Sequence, residues 1–461
     1  MKNQLLALAL LAPSLALSSS IEDRVDELEM NALLNTVRFS GEFVTRADHI
    51  YDPYITQSKN TIDFSTGSIV DANTVYKGKS FNVHRSLFSL NMTAEISETL
   101  TFYGRMTASK LQNNFILLQD APNQSADQNA RTFAGTQIHL ERAYFNWKIL
   151  NSLSLSVGRL PTIEGGPTHI VLGESPRGTY PRLAYASNLD GYALTYSIGG
   201  FSIRGLYHPL SAVKANRGSS GYSYQPEWTL AGDRIRTDNE LLTFMLEYSS
   251  PDLGFTRYFN FASQYFIINK LLVDDFSRDL PNTGASPIPG AVEEVEISSP
   301  LSINYISWVN YLEFSDIVGS GASLALTHVS TKSRGNKGSG FMANTAGEEK
   351  NGSAILLAAA YKLPLSALKN PIFGVEYLSS DQYYQFFNGL AWDPVGFHST
   401  RGTASHIFWN QPLTTGLKLR VAHMMVDDKY SRGEFSGEPT ELTGDAKGTV
   451  KTTYAELRLA F

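Results

Sequence analysis

The chain of 461 residues carries 38 basic and 44 acidic side chains, a net charge of −6, and no cysteine. That balance excludes the strongly basic surface on which nucleic-acid binding rests, and the missing thiols exclude a disulfide framework, thiolate metal sites and thiol catalysis. Hydrophobic residues make up only 42%, yet there are 25 Phe, 23 Tyr and 36 Gly, a mixture that suits short alternating strands better than thick apolar cores.

The first residues read as an address. Lys2 precedes the apolar run Leu5–Leu11, and small residues Ala16 and Ser18 are placed for cleavage. Residues 1–18 are therefore expected to be a secretory signal peptide, whose removal takes Lys2 with it and leaves a net charge of −7 (37 minus 44). The run is too short for a membrane anchor, since a spanning helix needs about 20 apolar residues. The later run AILLAAAY (Ala354–Tyr361) is also too short to span as a helix. Residues 19–34 follow a different period. Ile21, Val25, Leu28 and Ala32 are spaced 4-3-4, with Glu and Asp on the other faces, which predicts a short amphipathic, coiled-coil-like periplasmic helix. Two heptads do not make an autonomous coiled coil. Packing at a barrel mouth and helping subunits associate both remain open for it.

From Thr36 the period becomes two. In VRFSGEF, Val37, Phe39, Gly41 and Phe43 alternate with Arg38, Ser40 and Glu42; in LTFYGRMTAS, Leu100, Phe102, Gly104, Met106 and Ala108 alternate with polar residues and Tyr103. One face suits lipid and the other water. Sixteen such segments are predicted, at 35–46, 81–96, 100–110, 137–150, 152–160, 189–199, 201–208, 241–250, 256–268, 301–314, 321–330, 353–363, 371–379, 403–411, 414–427 and 451–461. Segments 301–314 and 403–411 carry bulky residues on both faces and read ambiguously.

The links alternate without exception. Short ones (SET, Asn151, Gly199–Gly200, PDLG, DIVGS, LSALKN and the QPL before Thr414) separate long ones at 47–80, 111–136, 161–188, 209–240, 270–300, 331–352, 380–402 and 428–450. Short periplasmic turns and long external loops are the pattern of an outer-membrane barrel. Residues 35–461 are thus predicted to form one all-β, transmembrane antiparallel barrel of about sixteen strands, a size that encloses an aqueous lumen.

Motifs for chemistry are sparse. The nine histidines form no HExxH, and there is neither a GxSxG elbow nor a GxxxxGK[ST] loop. GSGASL (Gly319–Leu324) imitates half a dinucleotide fingerprint but lacks its final Gly, and it is read as a hairpin. No enzyme, cofactor or metal site is expected. An embedded hydrolase would have to draw on His84 and His139 with Ser86 or Ser89.

The lumen face is more informative. Taking the polar set of each strand, the wall includes Arg38, Arg85, Arg105, Arg142, Lys148, Arg204, Lys418, Arg420 and Arg458 against Glu42, Glu95, Glu141, Glu247, Glu376 and Glu456. Charge there is tolerated by a water-filled pore, whereas lipid would penalise it by ~2–4 kcal/mol at midplane. A mild anion preference follows if opposed rings form; ordinary wall solvation with internal ion pairs is the other reading. The segment Val426–Asp445 holds six acidic residues, either a solvated loop or one that bridges divalent cations to lipopolysaccharide.

Leader, sixteen strands, eight long links and the terminal Phe461 together resemble the general bacterial porins. GRLPTIEGGP with RGTYPRLAYASNLDGYALTY (Gly158–Pro167, Arg177–Tyr196) is similar to an uncharacterised proteobacterial outer-membrane family that pairs an N-terminal helical segment with a porin-like barrel. The resemblance implies a Gram-negative outer-membrane protein for passive diffusion of small hydrophilic solutes and ions, often a homotrimer. It also implies contact with lipid and lipopolysaccharide, and recognition of Phe461 by the barrel-assembly machinery. In porins the third external loop commonly folds inward, which would bring Glu164, His169, Glu174, Arg177 and Arg182 opposite Arg38, Glu42, Arg85, Arg105, Arg142, Arg204 and Arg420. The PEFGG-type motif of enterobacterial porins is absent, so no constriction residue is carried over by motif. A structural or adhesive barrel plugged by its own loops is the alternative.

Overall fold

A computed structural model describes residues 37–51, 54–63, 68–77, 79–111, 138–184, 188–209, 213–218, 221–226, 229–230, 233–234, 240–273, 301–335, 342–343, 347–386, 395–431, 438–442 and 448–461. The expected leader (1–18) and periplasmic helix (19–34) lie outside them.

Sixteen antiparallel strands close into one barrel. In chain order they are β1 (Val37–Tyr51), β2 (Phe81–Ser97), β3 (Leu100–Leu111), β4 (Ile138–Leu150), β5 (Leu153–Arg159), β6 (Asp190–Ile198), β7 (Phe201–Pro209), β8 (Glu240–Ser250), β9 (Thr256–Val273), β10 (Leu301–Ile317), β11 (Ala322–Gly335), β12 (Glu349–Lys362), β13 (Ile372–Ser380), β14 (Gly402–Thr414), β15 (Leu417–Asp428) and β16 (Gly448–Ala460). Each pairs with its neighbours in sequence, and β16 returns to β1 with Phe43 opposite Leu459 and Ala47 opposite Ala455. Closure leaves no edge with unpaired backbone groups, which lipid cannot satisfy. Two-stranded hairpins extend the first long link (Tyr54–Asp63 with Ser68–Lys77) and the fourth (Val213–Gly218 with Gly221–Pro226).

The period-two pattern sorts side chains as expected. Phe43, Ile203, Phe244, Val421 and Leu457 point outward and are exposed, giving lipid an apolar belt. Aromatic residues gather at its ends: Phe201 against Tyr248 (centroids 4.4 Å) and Phe255 and Phe259 against Phe314 lie toward the short turns, while Tyr192 and Tyr207 stack near the long links. Such girdles anchor a barrel at the two lipid–water boundaries.

Several boundaries differ from the sequence reading: β9 runs on to Val273, β11 to Gly335, and β12 starts at Glu349, and two further differences have a clear local cause. β1 continues to Tyr51 because Val44, Arg46, Asp48 and Ile50 keep the inward parity and are buried, with Arg46 and Asp48 paired at 2.6 Å. The turn expected at QPL lies instead at Thr415–Gly416. Gln411, Pro412 and Leu413 belong to β14, where a bulge after Pro412 absorbs the proline, and Gly416 supplies the left-handed turn residue (φ 85°). GSGASL forms the turn into β11, as read.

The inner wall divides into two arcs. Along β9–β16 most inward residues are buried, and many are apolar: Phe266, Tyr305, Val309, Val329, Leu356, Leu378 and Phe408. These pack with Leu160, Ile170, Val171, Tyr180 and Leu183 from the third long link, and with Phe386, Val395 and Phe397 from the seventh. Along β3–β7 the inward Tyr103, Tyr144, Asn146, Ser154, Ser156, Thr195, Ser197, Ser202 and Arg204 are only half-buried.

Candidate functional site

The third long link leaves β5 at Arg159 and turns inward. Leu160 is buried, and the chain runs to a five-residue helix, α1 (Thr168–Leu172), closed by Gly173 in the left-handed conformation (φ 62°). The returning strand then hydrogen-bonds to the outgoing one, Thr179 N–H to Pro161 O (2.9 Å) and Arg182 N–H to Gly166 O (2.8 Å). Glycines permit this approach. A Cβ on Gly165 would lie 1.9 Å from Tyr180 O, and one on Gly178 would lie 1.6 Å from Ile163 O. The Gly/Pro richness of the stretch therefore serves a compact, two-ply loop.

That loop is fastened to the inner wall at many strands. Arg177 grips Glu42 on β1 with Nη1 and Nη2 at 2.7 and 2.8 Å, and also pairs with Glu174. Glu42 additionally receives Arg105 of β3 (2.6 Å) and Arg458 of β16 (2.8 Å), so one carboxylate serves three guanidiniums. Arg105 and Arg142 share Glu141, and Arg142 reaches Glu164 (3.3 Å) and the Arg177 carbonyl (2.5 Å). Two strands along from β1, Lys418 of β15 donates to Glu174 (3.3 Å) and Gly173 O (3.1 Å), and Arg420 donates to Val171 O (2.9 Å). Asn410 of β14 also donates to Val171 O (2.7 Å). His169 lies 2.9 Å from Glu313 of β10, and Arg182 pairs with Glu376 of β13 at 2.5 Å.

Electrostatics within the loop follow from these contacts. Burial pushes the Glu174 carboxyl up, but Arg177, Arg458 and Lys418 outweigh it and hold the group below the usual carboxylate range. Burial pulls Arg177 down, yet its bonds and charges from Glu42, Glu164 and Glu174 raise it above the ordinary guanidinium value. Both side chains stay charged through the neutral range.

Nine of the twelve residues singled out in the sequence meet here: Glu42, Arg105, Arg142, Arg420, Glu164, His169, Glu174, Arg177 and Arg182. Three stand apart. Arg38 pairs with Glu95 in an exposed position near the short turns (73% exposed), Arg85 binds Asp48, and Arg204 lies near Glu247 (3.8 Å) on the open arc. The sequence reading passed over Glu313, Arg46 and Asp48, although all three share the inward parity of their strands. It also passed over Arg401, whose buried guanidinium donates to Tyr384 O, Ser431 O and Gln385 Oε1. Nothing in a period of two marks that arginine.

The hydrolase candidates separate. His84 Nε2 and Ser86 Oγ both lie against Thr45 Oγ1 on the outer face, whereas Ser89 faces inward toward Thr107 and Arg105. The side chain of His139 lies outside the described residues. In the acidic eighth link, Asp428 accepts the Arg401 backbone N–H, and Glu438 pairs with Lys350 and Tyr383. These two carboxylates are thus engaged in loop packing. Among the described residues, no group of three or more His, Asp or Glu is arranged to hold a metal ion.

A closed sixteen-stranded antiparallel barrel with an apolar outside and a charged, loop-lined inside defines a transmembrane β-barrel. Residues 79–218 match the family described as "Protein of unknown function (DUF3373)". No curated protein matches the chain. Similar solved structures include Pseudomonas putida OprB at high pH (12% identity, 97% of this chain and 100% of that one, TM-score 0.48). They also include a loop L8 deletion mutant of OmpT, an outer membrane protein of Vibrio cholerae (12%, 92% and 99%, 0.46), and a mutant of Rh. blastica porin (14%, 92% and 100%, 0.38).

Proposed function

We propose that the chain is an outer-membrane porin allowing passive diffusion of small hydrophilic solutes and ions. The path is water-filled, bounded on one side by the inner wall of β3–β7 and on the other by the third long link. One observation carries this reading. The link is bonded to inward side chains of β1, β4, β10, β13, β14 and β15, while Tyr144, Asn146, Ser156, Thr195 and Arg204 on the inner face of β4–β7 stay half-buried. A loop so placed narrows the bore without filling it. In this reading the mature chain, freed of residues 1–18, is assembled into the bacterial outer membrane through its terminal Phe461, contacts lipopolysaccharide at its external loops, and associates as a homotrimer. The basic excess among wall charges gives a mild preference for anions over cations.

Purified protein in planar bilayers tests the proposal. Ohmic single-channel steps, with a reversal potential that favours anions under a salt gradient, are the expected result. A folded, heat-modifiable barrel that never conducts overturns it. A second reading has its own support: Phe266, Val309, Val329 and Leu356 on the inner wall are wholly buried, as in a barrel sealed by its loops. That reading predicts the silent barrel.

A further inference from the structure

The open arc has a chemistry unlike the rest of the lumen. On its inner face Tyr103 of β3 sits directly across from Tyr144 of β4, and the two rings stack with centroids 5.1 Å apart and an interplanar angle of 21°. Both are half-buried. The next strand places Gly158 opposite Tyr144, so the position paired with the ring on that flank carries no side chain. Only glycine fits there: its φ is 122°, and a Cβ would lie 2.3 Å from Ala143 O.

Hydroxyls and amides line the neighbouring strands on the same inner face. Ser156 donates to Asn146 Oδ1 (3.1 Å), Arg204 Nε donates to Thr195 Oγ1 (3.0 Å), and Ser197 and Ser202 lie 2.8 Å apart. Charges on this side are paired: Arg105 and Arg142 with Glu141, and Arg204 with Glu247 at 3.8 Å. One step along the same two strands, Arg105 and Arg142 join the ion pairs that fasten the third link. An aromatic face and rows of hydrogen-bonding groups are thus offered together along this arc. An aromatic surface takes an apolar face, and fixed hydroxyl and amide groups set orientation.

We infer that Tyr103 and Tyr144 form a binding rung for neutral, ring-shaped polyhydroxylated solutes, whose axial C–H face lies against the tyrosines and whose hydroxyls exchange bonds with Asn146, Ser156 and Thr195. The inference rests on the channel reading for its purpose, but not for its test.

Titration calorimetry of the full barrel in detergent reads the rung whether or not the pore conducts. The probes are maltose, which presents pyranose rings, and mannitol, an acyclic polyol. Saturable heat with maltose and none with mannitol is expected, with binding at least tenfold weaker in Y103A and Y144A and within about threefold of wild type in Y103F and Y144F. The Phe variants keep stacking and report the rung even if an Ala variant fails to fold. Equal behaviour of the two probes, no maltose heat from the folded barrel, or unchanged binding in folded Y103A and Y144A overturns the inference. In bilayers, wild-type current that maltose does not block sinks the rung alone; maltose binding by a barrel that never conducts sinks the channel alone.

Discussion

Arg177 holds Glu42 through both terminal nitrogens, at 2.7 and 2.8 Å, although 135 residues separate them in the chain. Glu42 is 4% exposed and is also the partner of Arg105 and Arg458, so the third link is fastened at a desolvated node. Removing one member of a buried ionic network leaves its partners uncompensated, at a cost of about 3–5 kcal/mol. Glu42→Gln is therefore expected to free the loop and leave three guanidiniums facing the bore. Larger single-channel conductance and a reversal potential moved toward anions are the outcome, measured under a salt gradient.

Charge reversal on the loop itself tests whether it lines the path. Glu164 is the more open of the two loop carboxylates (32% exposed), and Glu174 is the more enclosed (17%). Glu164→Lys is expected to raise anion preference while the barrel folds normally. Glu174→Lys places a cation against Arg177 and Lys418 and should also loosen the loop, seen as faster protease cleavage within 161–184. An unchanged reversal potential in both variants would leave the loop a structural cover.

Acid should release the same fastening. The Glu174 carboxyl is held below its ordinary value, so its contribution is complete above the usual carboxylate range, near pH 4.3. It is lost only as pH falls through the lowered value. Loop protection from protease is thus expected to be flat from neutrality down to about pH 4.3 and to fail below it. Loss of protection near neutral pH would contradict this account.

At the external end, Arg401 donates to Tyr384 O (3.0 Å), Ser431 O (2.8 Å) and Gln385 Oε1 (2.9 Å) while 2% exposed. Arg401→Met keeps bulk but strips these acceptors of their donor, at roughly 1–3 kcal/mol for each buried group left unsatisfied. Asp428 accepts the backbone N–H of residue 401, which a Met retains. The seventh and eighth long links are expected to become protease-sensitive while heat-modifiability of the barrel persists.

Closure of the barrel rests on a glycine. Gly41 and Phe461 exchange backbone hydrogen bonds (2.8 and 3.0 Å), and a Cβ on Gly41 would lie 2.5 Å from the Phe461 ring and 2.8 Å from Ser89 O. Gly41→Leu should cost about 1–3 kcal/mol through overpacking. Reduced yield of the heat-modifiable form on refolding into detergent is the readout.

The strands were legible in the sequence because a barrel wall has one solvent on each side, and a period of two records that directly. The two ambiguous segments show where this fails. β10 and β14 carry Tyr305, Val309, Tyr311 and Phe408 on their inner faces, and these residues pack against the inward-folded links rather than against water. Hydropathy cannot tell lipid from a folded loop, since both accept apolar side chains. The QPL turn misled for a related reason: Pro412 reads as a breaker locally, but the barrel accommodates it at a bulge.

By itself the sequence determined the strands of the wall and the inward parity of most charged residues, since alternation and link length are local properties. Its Gly/Pro content also marked the third link as a tight bend. Only the tertiary structure decided where that link lands and which charges it neutralises. Contacts such as Arg177 with Glu42, or Arg182 with Glu376, join residues far apart in sequence, and their pairing depends on barrel diameter, strand stagger and loop path together. The same long-range geometry leaves Tyr103 and Tyr144 half-open on one arc and buries Phe266 and Val309 on the other.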